Sequence, residues 1–419
     1  MRHLTPTGRR RLAAGLATAT MLLGLSACAD SSSDGGAAAD DQASAAVSDA
    51  PEGTFEDNAA TGAAIKIGII SPEGGTAISQ PEGRVAAEAA VAYANANLGG
   101  IACHKIEAVV CKEKEDAASA TDCANQMVEQ DVAGVVVLNT AQGDSMAPII
   151  TGAGIAYTGY NGTSGSELTG DPAFIWTGAF PGVLGGMAKY AATNAITKLT
   201  LFVTDSPQVV GAVDAMGTPA FDAAGVKLTV TPIPPGTPDA TSQVTAGIKD
   251  DPEAIAIVGD ATVCTSALKA LGTVGYKGTK LVITPCLDPS TVEAAGDVLD
   301  GAKLLTTTDA SGDDDESKLY RAVMGQYAAG EVTTGAAQSG FQSMLGFIRA
   351  AQGVQGDPTA ASIVDAIRSA KDVPVPLAHG ATMTCDGTAV PGLTALCSSY
   401  NLVGTLDATG TPSGVELLG

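Results

Sequence analysis

The chain has 419 residues, a length that suits two to three domains at ~150 residues each. Apolar residues make up 45%, enough for a sizeable core, and 22 Lys+Arg stand against 45 Asp+Glu for a net charge of −23. That balance argues against nucleic-acid binding, which needs clustered Lys and Arg, and against adhesion of the bare protein surface to an anionic bilayer. With three His and 4% aromatics, few groups remain for general-base, triad or metal chemistry.

Arg2, Arg9, Arg10 and Arg11 form a basic start, and Leu12 to Leu25 is an apolar stretch too short for a ~20-residue span. Residues 1–27 therefore read as a secretory signal peptide. Its end, Leu25-Ser26-Ala27-Cys28, resembles the lipobox of bacterial lipoproteins. The resemblance implies cleavage before Cys28 and diacylation of its thiol. Two acyl chains, at ~0.8 kcal/mol per buried CH₂, give stable anchoring where one does not. An extracytoplasmic monomer is expected, held at the cell membrane by lipid alone. Residues 28–63 are rich in Ser, Ala, Gly and Asp with one aromatic, Phe55, and predict a flexible tether, with ordered structure starting near Ala64.

Ile65–Ile70 predicts a strand, Glu82–Asn97 a helix, Ile106–Cys111 a strand, Ala117–Glu129 a helix and Val132–Leu138 a buried strand. Gly143 to Ser145 opens another helix, with Asp144 or Ser145 as its cap, and Ile155–Tyr157 is a short strand. The rhythm restarts with a helix at Val183–Ala195, a strand at Leu199–Val203, a helix at Val209–Ala224 and a strand at Lys227–Pro232. Strands at Ala254–Val258, Leu281–Thr284 and Lys303–Thr307 follow, with helices between. Three helices come next, Lys318–Ala329, Ala336–Ala351 and Thr359–Ala370, and Ala381–Leu406 reads as antiparallel strands. Alternating strands and helices predict parallel sheets covered on both faces, and two such runs predict an α/β protein of two doubly wound, Rossmann-like lobes.

Several pieces, in order and at these spacings, resemble the type I periplasmic binding proteins, in particular the branched-chain amino acid (Leu/Ile/Val) solute-binding lipoproteins of ABC transporters. They are Ser71-Pro72-Glu73-Gly74-Gly75 after the first strand, Asn95-Ala96-Asn97-Leu98-Gly99-Gly100-Ile101, His104-Lys105-Ile106-Glu107, Cys123-Ala124-Asn125-Gln126, and Leu271-Gly272 with Gly275-Tyr276. The resemblance implies two lobes joined by three crossovers, near Phe180-Pro181, Thr306 to Asp309 and Leu377 to Gly380. Lobe one is then 64–180 plus 309–378, and lobe two 181–308 plus 379–419. It further implies a receptor that encloses a small polar solute, an amino acid or a related carboxylate or amide, between its lobes and hands it to permease subunits. The other reading is a sensor that presents its ligand to a membrane signalling receptor.

In doubly wound sheets ligands bind beyond the carboxyl ends of the strands. That rule selects the loops Ser71 to Gln80, Asn139 to Gly143 and Tyr160 to Ser164 in lobe one, and Asp205 to Gln208, Gly259 to Thr262 and Pro285 to Asp288 in lobe two. Candidate ligand residues are Gln80, Asn139, Thr140, Ala141, Tyr160, Thr163, Ser164, Gln208, Asp260 and Asp288. By resemblance, Thr140 and Ala141 with Thr163 and Ser164 would hold a ligand carboxylate and ammonium. Lobe two departs from the family's pattern: aromatics are missing near Gln208-Val209 and Asp260-Ala261, and Cys286 stands where an acid is usual. Asp260 or Asp288 would replace that acid as partner to an ammonium, or the ligand has no amino group. Tyr157, Tyr160, Trp176 and Phe180 offer apolar contact, with a core position the other reading of Trp176.

Eight cysteines leave seven once Cys28 carries lipid. Cys111–Cys123, Cys264–Cys286 and Cys385–Cys397 are the expected disulfides, the last stapling a C-terminal hairpin; Cys103 is left over, or competes for Cys111. His104 and His379 read as surface or structural groups. The chain shows no G-x-S-x-G, Walker or H-E-x-x-H motif, so no enzyme, metal or cofactor is expected.

Overall fold

The computed structural model describes residues 34–75 and 79–418. The expected signal peptide, Cys28 and the first residues of the expected tether lie outside them.

The first lobe is built from β1 (Gly62–Pro72) after a leading helix α1 (Asp34–Ser48), followed by α2 (Pro81–Asn97), β2 (His104–Glu113), α3 (Ala117–Glu129), β3 (Gly134–Val137), α4 (Gly143–Gly152), β4 (Ala156–Gly159), α5 (Gly165–Thr169) and β5 (Ala173–Ile175). Its five strands pair in parallel in the order β2-β1-β3-β4-β5. Alternation along β1 sends Ile67 and Ile69 to one core and Ile70 to the other, so both faces need helical cover. Each such side chain, once fully buried, contributes ~1.5–3 kcal/mol.

The second lobe runs α6 (Ala179–Thr193), β6 (Lys198–Thr204), α7 (Pro207–Ala212), a π-helical turn over Val213–Gly217, α8 (Thr218–Ala223), β7 (Lys227–Ile233), α9 (Thr241–Gly247), β8 (Ala254–Val258), α10 (Ala261–Val274), β9 (Thr279–Ile283), α11 (Pro289–Ala295) and β10 (Lys303–Thr306). The chain then returns to lobe one with α12 (Asp315–Tyr327), α13 (Ala336–Ala350), α14 (Ala360–Ser369) and the small pair β11 (Val373–Pro374) and β12 (Thr382–Met383). It ends in lobe two with the antiparallel hairpin β13 (Leu402–Leu406) and β14 (Pro412–Leu417), giving a seven-stranded sheet in the order β14-β13-β10-β9-β8-β6-β7. The predicted α/β class and parallel sheets are present. The single helix predicted over Val209–Ala224 is interrupted by the π-helical turn.

Four expectations need correction. The first concerns the tether, which contains α1. That helix lies on α12, where Gly325 allows the approach: a Cβ there would stand 2.7 Å from the Ala43 carbonyl oxygen. Phe55 then packs between Tyr93 and Tyr327, with ring centroids 6.2 and 6.4 Å away. Composition describes a segment in isolation, and here lobe one supplies the surface that orders it. The second correction concerns α4. Neither Asp144 nor Ser145 caps it; Gln142 holds the cap position without a side-chain bond, and Asp144 bonds Ser166 instead.

The third correction moves the last crossover. Residues 381–397 belong to lobe one: Met383, Cys385 and Cys397 sit in its core, and Leu396 bridges to Ile175 beside β5. The chain therefore passes into lobe two between Cys397 and Leu402, not at Leu377–Gly380. For the same reason most of Ala381–Leu406 is irregular, and Cys385–Cys397 closes a loop of lobe one instead of stapling the hairpin. The fourth is that Tyr157 offers no contact surface to a ligand, being fully buried with its hydroxyl on Glu167; Trp176 takes its core reading, fully buried and donating its indole N–H to the Ser343 carbonyl at 3.0 Å.

All three expected disulfides are present, and Cys103 is a free, exposed thiol. A Cys103→Ser variant is expected to take up one equivalent less maleimide than its parent under native conditions. Equal uptake by the two would show Cys103 to be paired or shielded.

Candidate functional site

The strand-end loops of lobe one do come together. The Asn139 amide, just past β3, donates to the Gln80 side-chain oxygen ahead of α2 at 3.1 Å. Tyr160 closes the same end of the sheet: its N–H donates to Ser343 Oγ at 3.2 Å, its carbonyl accepts from the Thr177 hydroxyl at 2.7 Å, and burial pushes its phenol up.

The main-chain donors expected to meet a ligand anion are already occupied, each by a carboxylate of this chain. The Ala141 N–H donates to Glu115 Oε2 at 3.1 Å, and the Thr140 hydroxyl also faces that carboxylate. The Thr163 and Ser164 N–H groups both donate to Glu167 Oε2 at 3.0 Å. Glu167 is 1% exposed, and its other oxygen accepts from the Tyr157 hydroxyl at 2.7 Å. Ser164 and Glu167 form a reciprocal capping box at the start of α5. Gly143 is required here, because a Cβ would stand 2.0 Å from the Glu167 carboxyl carbon.

Glu113 and Glu115 lie at the end of β2, where Glu113 is in register with Pro72 of β1. Glu113 is wholly buried; its Oε1 accepts from the Asp116 N–H at 3.1 Å, while its Oε2 has no donor. Burial, then the neighbouring Glu115 charge, push the Glu113 carboxyl up to about 7. Burial likewise raises Glu115, whose Oε1 is enclosed and without a donor. Glu73 behaves differently: Arg84 at 2.6 Å and Lys112 at 2.9 Å outweigh its burial and hold it low.

In lobe two the carboxylates serve as helix caps. Asp260 accepts from the Val263 N–H at 2.9 Å at the start of α10, and Asp288 from the Ser290 N–H at 2.9 Å at the start of α11. Both are exposed. Gln208 lies in the first turn of α7, and Cys286 is bonded to Cys264. A groove of about 890 Å³ lies elsewhere, beside the crossovers, lined by residues such as Pro181, Lys189, Met216 and Leu417.

Glu115 and Glu167 are absent from the candidates drawn from the sequence. The Ser-x-x-Glu spacing of Ser164 and Glu167 is a readable capping signal. Glu115 gives none, since its partner Ala141 lies 26 residues away.

A family model described as periplasmic binding protein matches residues 64–396. The chain belongs to that family. Its members bind solutes instead of transforming them, in keeping with a sequence that offers no catalytic motif. Solved structures share the fold of this binding protein. One, described as a possible leucine/isoleucine/valine-binding protein from Rhodopirellula baltica SH 1, has a TM-score of 0.67 at 15% identity, over 87% of this chain and 98% of its own. A branched-chain amino acid substrate-binding protein from Streptococcus pneumoniae, in complex with isoleucine, has a TM-score of 0.67 at 18% identity, over 84% and 99%. A solute-binding protein of an R. palustris ABC transporter, in complex with 4-hydroxybenzoate, has a TM-score of 0.68 at 17% identity, over 84% and 96%. At these identities the likeness is one of fold. No curated protein matches the sequence. Among the described residues, no helix is long and apolar enough to cross a membrane.

Proposed function

We propose that this chain is the extracytoplasmic solute receptor of an ABC importer, tethered through lipid at Cys28 and working as a monomer. It binds a small polar solute, of the amino-acid, amide or carboxylate kind, between its lobes. The observation that carries this reading is the pairing of the family match with the strand-end loops, where Gln80, Asn139, Thr140 and Tyr160 converge at one end of the lobe-one sheet. Such a receptor needs no chemistry of its own: it works by differential affinity between open and closed states. The lipobox-like Leu25 to Cys28 supports the anchor, and tethering raises the effective concentration near a permease.

Binding to the folded chain alone stabilises it by ~2.7 kcal/mol at 100 times Kd. A thermal-shift screen of amino acids, amides, amines and carboxylates is therefore expected to find a solute that raises the melting temperature. A panel in which every class leaves the melt unchanged would remove the receptor reading.

A further inference from the structure

The loops at the strand ends of both lobes offer a solute anion no side-chain cation. The loops Ser71 to Gln80, Asn139 to Gly143, Tyr160 to Ser164, Asp205 to Gln208, Gly259 to Thr262 and Pro285 to Asp288 contain no Lys or Arg, but do contain Glu73, Asp205, Asp260 and Asp288. Arg84 and Lys112 are both committed to Glu73. Lys114, at the end of β2, is exposed to solvent. The backbone donors that could replace a cation are filled: Glu115 holds the Ala141 N–H, and Glu167 holds those of Thr163 and Ser164.

Behind Glu115 stands the wholly buried Glu113, whose Oε2 has no donor, as Glu115 Oε1 has none. Two neighbouring carboxyl groups, one of them wholly buried, cannot both ionise cheaply, and burial and the Glu115 charge push Glu113 toward its neutral form. The pair then keeps one negative charge. A solute carboxylate placed at Ala141 would have to displace Glu115 and leave a half-buried charge without its hydrogen bonds. A solute ammonium or guanidinium would instead neutralise the pair and donate to it.

We propose that Glu115 determines the specificity of the cleft: it stands on the Ala141 N–H in place of a ligand anion and presents a carboxylate to the positively charged nitrogen of the solute. This rests on the receptor reading above and narrows its ligand to cationic amines, including amino acids that turn their amino end toward lobe one. Asp144 and Asp116 are tied to Ser166 and to the Ala118 and Ser119 N–H groups.

The test compares three classes of probe by calorimetry on the full chain and on Glu115→Gln and Glu115→Ala: amines without a carboxylate (putrescine, agmatine), carboxylates without an amine (4-hydroxybenzoate, isovalerate) and solutes with both (arginine, leucine). The parent is expected to bind at least one probe bearing a cationic nitrogen and none of the pure carboxylates. Because a charge-assisted hydrogen bond is worth ~1.5–3 kcal/mol, Glu115→Gln and Glu115→Ala are expected to weaken that binding by ~10–100-fold. Glu115→Ala, with the Ala141 N–H vacated, is expected to gain affinity for the pure carboxylates. Tight binding of isovalerate or 4-hydroxybenzoate by the parent overturns this assignment and leaves the receptor reading standing. So does amine binding that both variants retain in full, provided their urea midpoints match the parent. Silence from all three classes and from the wider screen removes the receptor reading itself.

Discussion

Replacing Glu167 by alanine is expected to destabilise the fold by about 3–5 kcal/mol, the range for removing one partner of a buried charged network. Three donors lose their acceptor at once: the Tyr157 hydroxyl at 2.7 Å and the Thr163 and Ser164 N–H groups at 3.0 Å. The Tyr157 hydroxyl gains no water readily, since Tyr157 is fully buried and burial, then the Glu167 charge, already push its phenol well up. Urea unfolding reads the loss directly. Gly143→Ala attacks the same network from the other side, because the new methyl would lie 2.0 Å from the Glu167 carboxyl carbon, and it should move the midpoint in the same direction. A midpoint unchanged in both variants would mean that Glu167 is dispensable as the acceptor at this end of the sheet.

The Glu113 carboxyl sets an opposite expectation: its removal should stabilise the protein at alkaline pH. Its pKa rises from 4.5 to about 7 on folding, mainly through burial. Between those values the folded chain keeps a proton that the unfolded chain has released, so stability falls as pH rises through that window and the full cost is felt above it. A shift of that size corresponds to an upper limit on the order of 3 kcal/mol. Glu113→Gln removes the titration and supplies a permanent N–H donor to Glu115. The variant is expected to match the parent near pH 4.5 and to exceed it at pH 8. Parallel stability curves for the two proteins from pH 4.5 to 8 would sink the idea.

Much of the fold is legible in the sequence because its signals are local. Ala254–Val258 is an unbroken apolar run, and β8 occupies those residues, all five buried. Ala117–Glu129 is predicted and found as α3, with Asp116 accepting from the Ala118 and Ser119 N–H groups. α5 and β5 escape because five and three residues are too few to show a period. α1 escapes for another reason: its sequence carries no apolar stripe, and what holds it is a contact with Gly325 almost three hundred residues later. The resemblance puts the last crossover before residue 381, and Thr, Val and Gly in 381–397 imitate strand composition, while the bridge from Leu396 to Ile175 decides where the segment packs.

The site divides along the same line. Which loops lie at the strand ends follows from topology, and topology follows from the rhythm of strands and helices. Whether a backbone N–H in those loops is free does not, because the answer depends on a side chain brought from another strand, as Glu115 is brought to Ala141. Asp260 and Asp288 show the converse: each stands at the expected place, yet each is engaged by the first turn of its own helix.

The amide of Gln342, on α13, donates to the carbonyls of Thr307 and Pro376, and the Tyr400 hydroxyl donates to Thr307 as well. His379 clamps Asp309 at 2.8 Å. The second and third links between the lobes are thus riveted to each other and to lobe one before either reaches lobe two. Such a joint has no slack on one side. Any swing of the lobes must be taken up beyond it, by the few peptides from Thr306 and from Asn401 onward and by Gly178 to Gly182, where Gly178 packs so close to Gly182 and Ser399 that a Cβ would jam the bearing. Lobe one is then the fixed frame and lobe two the door.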